Sequence, residues 1–194
     1  MTFLDLYQRA SHSFVERAKQ VGPRDWDRPT PCAEWSVRDL VNHLVYEDRW
    51  VPPLLAGRTL AEVGDRFDGD LLGTDPFDAV ADAANRAEAA FADPGALDRT
   101  VGLSFGPTPA LEYGWQMLAE HLVHGWDLAV ALGADRELDA DTVRECAAWF
   151  ADREELFRHA GAIGPRVEPT GDASEQDRLL GATGRDPHWS PPAR

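Results

Sequence analysis

TPALEYGWQMLAEHLVHGWDLAVAL, residues 108–132, is the stretch on which the fold turns. Leu111, Trp115, Leu118, Leu122, Trp126 and Ala129 recur at spacings of three and four, the period of one helix face. Val123, Val130 and Leu132 carry the apolar surface beyond a single stripe, which predicts a helix central to the protein. Gly133 supplies its stop.

Outward from this helix, the same period recurs. Over residues 2–21, Phe3, Leu6, Tyr7, Ala10, Phe14, Ala18 and Val21 predict a helix that Gly22-Pro23 ends. Over residues 36–56, Ser36 and Asp39 make a capping box, and Trp35 with Leu40 has the spacing of a hydrophobic staple. Val37, Leu40, Val41, Leu44 and Val45 form its core stripe, and Pro52-Pro53 is expected to break or kink it. Residues 57–74, rich in Gly and Asp, read as a loop. Pro76 opens a third helix over residues 75–93, with Phe77, Val80, Ala84, Ala87 and Phe91 inward. Residues 96–107 are left open, with weak alternation from Thr100 to Phe105. A fifth helix is expected over residues 139–160, carrying Val143, Cys146, Ala147, Phe150 and Leu156, followed by a short helix near 173–182 and a coil to Pro191-Pro192. The class is all-α: a four-helix bundle over residues 1–160, with residues 161–194 as a C-terminal extension packed on it.

The chain has 194 residues, a formal net charge of -15 and a pI near 4.7. That charge speaks against nucleic acid and against an anionic membrane surface, since both need a basic face. No apolar run approaches the ~20 residues of a membrane span. The N-terminal segment MTFLDLYQRASHSF lacks the basic start and apolar core of a signal peptide, so the expected compartment is the cytoplasm. Cys32 and Cys146 are then reduced thiols and not a disulfide framework.

The chemistry-bearing segment is EHLVHGWD, Glu120 to Asp127. Glu120 and His124, four apart, stack on one helix face and can present a carboxylate oxygen and an imidazole nitrogen to one metal ion. Asp127, three further on, can take the proton on the other imidazole nitrogen or anchor an arginine. A third ligand is needed, and His43, flanking the second helix's stripe with Glu47 one turn on, is the candidate. Three protein ligands leave a position open, as catalytic sites do. A Glu/His pair at this spacing is also an ordinary hydrogen-bonded helix face, so a polar core pair without metal stays open. His121 points about 100° away from its neighbour, which suits a structural role or a substrate contact. Cys32, just before a helix start, has a setting that could lower a thiol pKa, although a small packed side chain in a loop is the favoured explanation.

These residues carry a resemblance. TPCAEWSVRDLVNHL (Thr30 to Leu44) resembles the N-terminal motif of the mycothiol-dependent maleylpyruvate isomerase family, within the DinB-like superfamily. EHLVHGWDLAVALG (Glu120 to Gly133) resembles its second motif, and DRLLGATGRDP (Asp177 to Pro187) is similar to the ending of a short actinobacterial subfamily known only as metal-binding. The resemblance implies a DinB-like bundle and a divalent metal, zinc for preference, on His43, Glu120 and His124. It implies mycothiol as cofactor, a thiol and an electrophilic small molecule as partners, and S-transfer or isomerisation as the reaction. In that reaction Asp127 would orient His124, and His121 would shuttle a proton or touch substrate. A homodimer is also consistent with the superfamily. The isomerase carries an extra C-terminal domain, for which this chain leaves only a short tail holding Arg178 and Arg185. The rival reading is a non-catalytic metal-binding or interaction protein on the same bundle.

Overall fold

The computed structural model describes residues 1–192. Four long helices form a ring: α1 (Phe3–Ala18), α2 (Val37–Leu55), α4 (Pro76–Ala92) and α5 (Ala110–Leu132), with a one-turn α3 (Leu60–Val63) in the loop before α4. Helix α1 packs on α5 and α4, and α2 packs on the same two, so α1 faces α2 and α4 faces α5 across the bundle. Their starts follow from local chemistry. Thr2 with Asp5 and Ser36 with Asp39 form reciprocal capping boxes, and Asp75 caps α4 ahead of Pro76. Gly133 closes α5 at φ 70°, a left-handed conformation that glycine adopts without a Cβ penalty.

Helix α5 is the centre. Every residue from His121 to Ala131 is buried, as a helix surrounded on all sides must be. Leu6, Tyr7, Val51, Phe91, Met117 and Leu118 fill one end of the bundle, and Phe14, Leu40, Leu44, Val80 and Leu128 fill the other. The outward side of α5 is covered by the tail, where Leu180 closes over Trp126 and Val130 with Trp189 alongside.

Two local expectations need correction, and one open stretch is settled. Pro52 and Pro53 do not break α2, which runs through them to Leu55. They occupy its last turn, and their carbonyls still accept from the N–H groups of Ala56 and Arg58. The open stretch before α5 is a hairpin of β1 (Thr100–Leu103) and β2 (Gly106–Pro109), antiparallel, with Thr100 opposite Pro109. The single fifth helix is two, α6 (Ala140–Phe150) and α7 (Glu154–His159). At the break, the Arg153 guanidinium donates to the Trp149 carbonyl and pairs with Glu112 of α5, so the side chain ends α6 and ties the turn to the bundle. Helix α8 (Glu175–Ala182) follows, capped by Ser174, and packs on α6.

Residues 161–174 cross α8 closely. Val167 N–H donates to the Gly181 carbonyl at 3.0 Å, and a Cβ at Gly181 would run into the Val167 carbonyl oxygen. Backbone cannot swing aside as a side chain can. Gly181→Ala should therefore cost about 2 kcal/mol, seen as a lower urea midpoint at unchanged slope.

Candidate functional site

The site lies between α2 and α5. His43 comes from the second turn of α2, and Glu120 and His124 share one face of α5. Nε2 of His43 is 3.1 Å from Oε2 of Glu120, and Nε2 of His124 is 3.0 Å from the same oxygen. One donor atom from each of the three lies within 4.8 Å of the others. A carboxylate oxygen and two imidazole nitrogens from two facing helices are the donor types that divalent cations of the zinc class take. The residues therefore fit a metal, and the three that sequence spacing selects are brought together.

The far side of His124 is equally specified. Its Nδ1 is 2.9 Å from Oδ2 of Asp127, a fully buried carboxylate. Arg185 reaches in from the tail, and its Nη2 donates to the same Asp127 oxygen at 3.0 Å. The Cys32 thiol lies 3.3 Å from Asp127 Oδ2 and 3.3 Å from Arg185 Nη2, and 3.7 Å from His124 Nδ1. Asp127 thus does both things its spacing suggests: it partners His124 and anchors an arginine. The sequence marks Arg185 only as a tail arginine and does not reach its pairing with Asp127, 58 residues away. It reaches Cys32 only as a helix-start thiol.

A tight loop holds Cys32 and Trp35 in place. The Thr30 hydroxyl donates to the Trp35 carbonyl at 3.0 Å and accepts from Cys32 N–H at 3.2 Å, while Glu34 takes a left-handed φ of 69°. A non-glycine residue in that region carries strain, which these bonds offset. The loop sets the Trp35 ring on His124, with centroids 5.8 Å apart and planes 26° apart, and close to His43 at 4.8 Å.

His121 lies elsewhere. Its ring is buried in the core, with Nδ1 at 2.9 Å from the Met117 carbonyl and Nε2 at 3.2 Å from Asp48 Oδ2. Asp48 also accepts from the Tyr7 hydroxyl, so the three tie α1, α2 and α5 together. Cys146 is buried and burial pushes its thiol up to about 12, which makes it a core side chain.

The electrostatics follow from burial and partners. Burial works to raise the Glu120 carboxyl, but hydrogen bonds from His124 and His43 hold it well below its usual range. Burial works to lower His124, but its bonds to Asp127, Cys32 and Glu120 raise it well above the usual histidine range. Without a cation His124 is therefore an imidazolium clamped between the carboxylates of Glu120 and Asp127. Glu47, half-buried one turn along α2 from His43, moves the other way: burial, then the Glu120 charge, pushes it up to about 7.

Known proteins resemble the chain as follows. The family described as the mycothiol maleylpyruvate isomerase N-terminal domain matches residues 7–129. Uncharacterized proteins from two strains of Mycobacterium tuberculosis are 32% identical over 142 residues, which is 72% of this chain and 72% of each relative. A solved structure of the mycothiol-dependent maleylpyruvate isomerase overlays with a TM-score of 0.69 at 16% identity, covering 96% of this chain and 89% of that one. A histidine-to-alanine mutant of that enzyme overlays with a TM-score of 0.59 at 16% identity, over 75% of this chain and 67% of the other. At that identity the overlays speak to the fold. The fuller one extends into the tail, so the shared architecture is not confined to the four-helix ring.

Two outcomes test this geometry. A raised carboxyl stabilises the fold only while it is protonated: its contribution is full below the ordinary value of 4.5 and lost as pH rises through about 7. In cation-free protein Glu47→Gln should thus gain about 2 kcal/mol over the parent near pH 8 and almost nothing near pH 4, read from denaturation midpoints at both. Arg185→Ala strands a buried carboxylate and should cost about 3 kcal/mol, by the same assay.

Proposed function

The chain belongs to the mycothiol maleylpyruvate isomerase N-terminal domain family, and from that premise we propose that it is a metal-dependent enzyme using a low-molecular-weight thiol, mycothiol, on an electrophilic small molecule. The observation that carries the reading is the convergence of His43 and His124 on one oxygen of Glu120. These three would hold the cation, zinc in this reading. When bound, such a cation supplies the Lewis acidity that favours the thiolate of a thiol at neutral pH. S-transfer to an electrophilic carbon, or reversible addition that permits isomerisation, would follow from a thiolate presented there.

The chain's own residues prepare the site. Asp127 accepts Nδ1–H of His124, which fixes the tautomer and leaves Nε2 toward Glu120. Arg185 and Cys32 keep Asp127 in place from the tail side and the loop side. Trp35 lies against both histidines and shields them from water on that flank. His121, enclosed by Met117 and Asp48, acts in this reading as a positioning residue that fixes α5 against α2. Residues 161–192 serve as an extension of the bundle that delivers Arg185. None of the helices in the described residues is long and apolar enough to cross a membrane.

Elemental analysis of purified protein, with His124→Ala as control, is the first test. One metal per chain that is lost in the variant, followed by a mycothiol-dependent change in the visible spectrum of the cobalt form, supports the reading. Metal without a thiol response sinks the thiol part, and no metal after reconstitution sinks the whole. Because His124 must give up a proton from Nε2 to act as a ligand, metal uptake should release protons and weaken as pH falls. Asp127→Asn should loosen the metal by roughly tenfold or more, measured by competition with a chelating dye.

A further inference from the structure

The tail side of His124 carries a second set of metal-ligating atoms. Cys32 Sγ, Asp127 Oδ2 and His124 Nδ1 lie within 4.8 Å of one another, as the donor atoms of His43, Glu120 and His124 do. The separations are 3.3 Å from sulfur to oxygen, 3.7 Å from sulfur to nitrogen and 2.9 Å from nitrogen to oxygen. Zinc bonds to these donors, set at the tetrahedral angle, place sulfur about 3.5 Å from either partner and nitrogen about 3.3 Å from oxygen. The three atoms thus stand within about 0.4 Å of the spacing that grips one ion.

A positive charge already lies against two of these donors. Arg185 Nη2 is 3.3 Å from the sulfur and 3.0 Å from the Asp127 oxygen, and it compensates that buried carboxylate. A divalent cation supplies the same compensation, so it can take the place of the guanidinium without stranding Asp127. Arg185 has a way out: its side chain is 14% exposed, and it belongs to the segment after α8 and not to a helix of the ring. Cys32 stays behind, because the bonds from Thr30 that hold its loop use backbone atoms and not the sulfur. The donors also select the ion. A thiolate with an imidazole and one carboxylate favours zinc and its thiophilic relatives over magnesium or calcium.

We infer that Cys32, Asp127 and Nδ1 of His124 form a second site, for a thiophilic divalent cation of the zinc class that exchanges with the Arg185 guanidinium. The exchange balances: the cation enters, the thiol proton and the Nδ1 proton leave to solvent, and the guanidinium turns outward. No oxidant or other co-reactant is needed. Because the guanidinium competes, this site fills at higher cation concentration than the Glu120 side. His124 belongs to both sites through opposite ring nitrogens, so an ion at one changes the affinity of the other, by the same factor in each direction. The tail is the responsive element, since the residue it delivers is the one the cation displaces. This site goes beyond the metal-and-thiol reading and does not need it, because neither Cys32 nor Asp127 is a ligand there.

Cadmium is the probe, because its bond to a thiolate gives an ultraviolet charge-transfer band that nitrogen and oxygen donors do not. Full-length protein is stripped of metal, kept reduced with a phosphine so that no other thiol is present, and titrated, with bound cadmium counted by elemental analysis after gel filtration. The parent should develop the band with half-saturation at or below about 10 μM. Cys32→Ser should lose the band and keep the ion on the Glu120 side. Glu120→Gln should weaken that other ion and keep the band, which separates the two sites. Arg185→Ala, although less stable, should bind about tenfold tighter at the band-forming site, its competitor being gone. No band in the parent, half-saturation weaker than that limit, or a band that survives Cys32→Ser overturns the inference. So does a band that appears only in Arg185→Ala, because the guanidinium then keeps cations out. An ion on the Glu120 side with no thiolate band defeats the second site alone, whereas a band with no ion on the Glu120 side upholds it and defeats the metal part of the proposed function.

Discussion

The Asp127 carboxylate, buried in the most apolar helix of the protein, is the constraint on which the rest depends. An ionised carboxylate there is tolerable only with partners that neutralise it and satisfy its oxygens. His124 supplies one from the next turn of α5, and Arg185 supplies the other from the tail. The consequence is architectural. To bring Arg185 to Asp127, the chain after α7 must return across the bundle, and in doing so it lays Leu180 over Trp126 and Val130. The complete burial of α5 and the pairing of its one deep carboxylate are thus two results of the same fold-back. Close backbone passage at Gly181 makes that return compact.

The same interaction gives the site its two unlike sides. On the tail side, His124 Nδ1, Asp127, Arg185 and Cys32 form a closed set in which every strong donor has an acceptor. On the α2 side, Nε2 of His124 meets Glu120 and His43, and beyond His43 lies open space. A ring clamped through Nδ1 cannot rotate, so Nε2 is held for a partner before any partner arrives. That is preorganisation achieved by second-layer hydrogen bonding, and it explains why so much of the polar inventory of this small protein sits behind the imidazole and not in front of it.

Much of this was legible in the sequence, and the legible parts share a cause. Helix starts are written in residues within four positions of one another, so Ser36 with Asp39 could be read directly. Glu120, His124 and Asp127 are likewise related by helix period, and His43 could be found because its helix has a readable apolar face. Arg185, Trp35 and Cys32 enter through tertiary approach, which no local period encodes. The hairpin before α5 shows in the sequence only as weak alternation from Thr100, because its strands are four residues long and Pro107 and Pro109 blur the pattern. The split between α6 and α7 depends on Arg153 reaching Glu112, an event 41 residues away in sequence.

The Glu120 cluster also bears on what a cation would change in this bundle. Without one, the protein stabilises the triad by holding a proton on His124, and that proton is what keeps Glu120 ionised in a setting whose burial opposes it. Glu47 shows the alternative fate of a carboxyl nearby: lacking such a partner, it drifts toward neutrality. A divalent ion would replace the shared proton with a charge that keeps the Glu120 carboxylate ionised, and its field would extend to Glu47. In the proposed reading, metal occupancy and the charge state of the α2 face would be linked, because Glu120, which would hold the ion, also adds to the rise at Glu47.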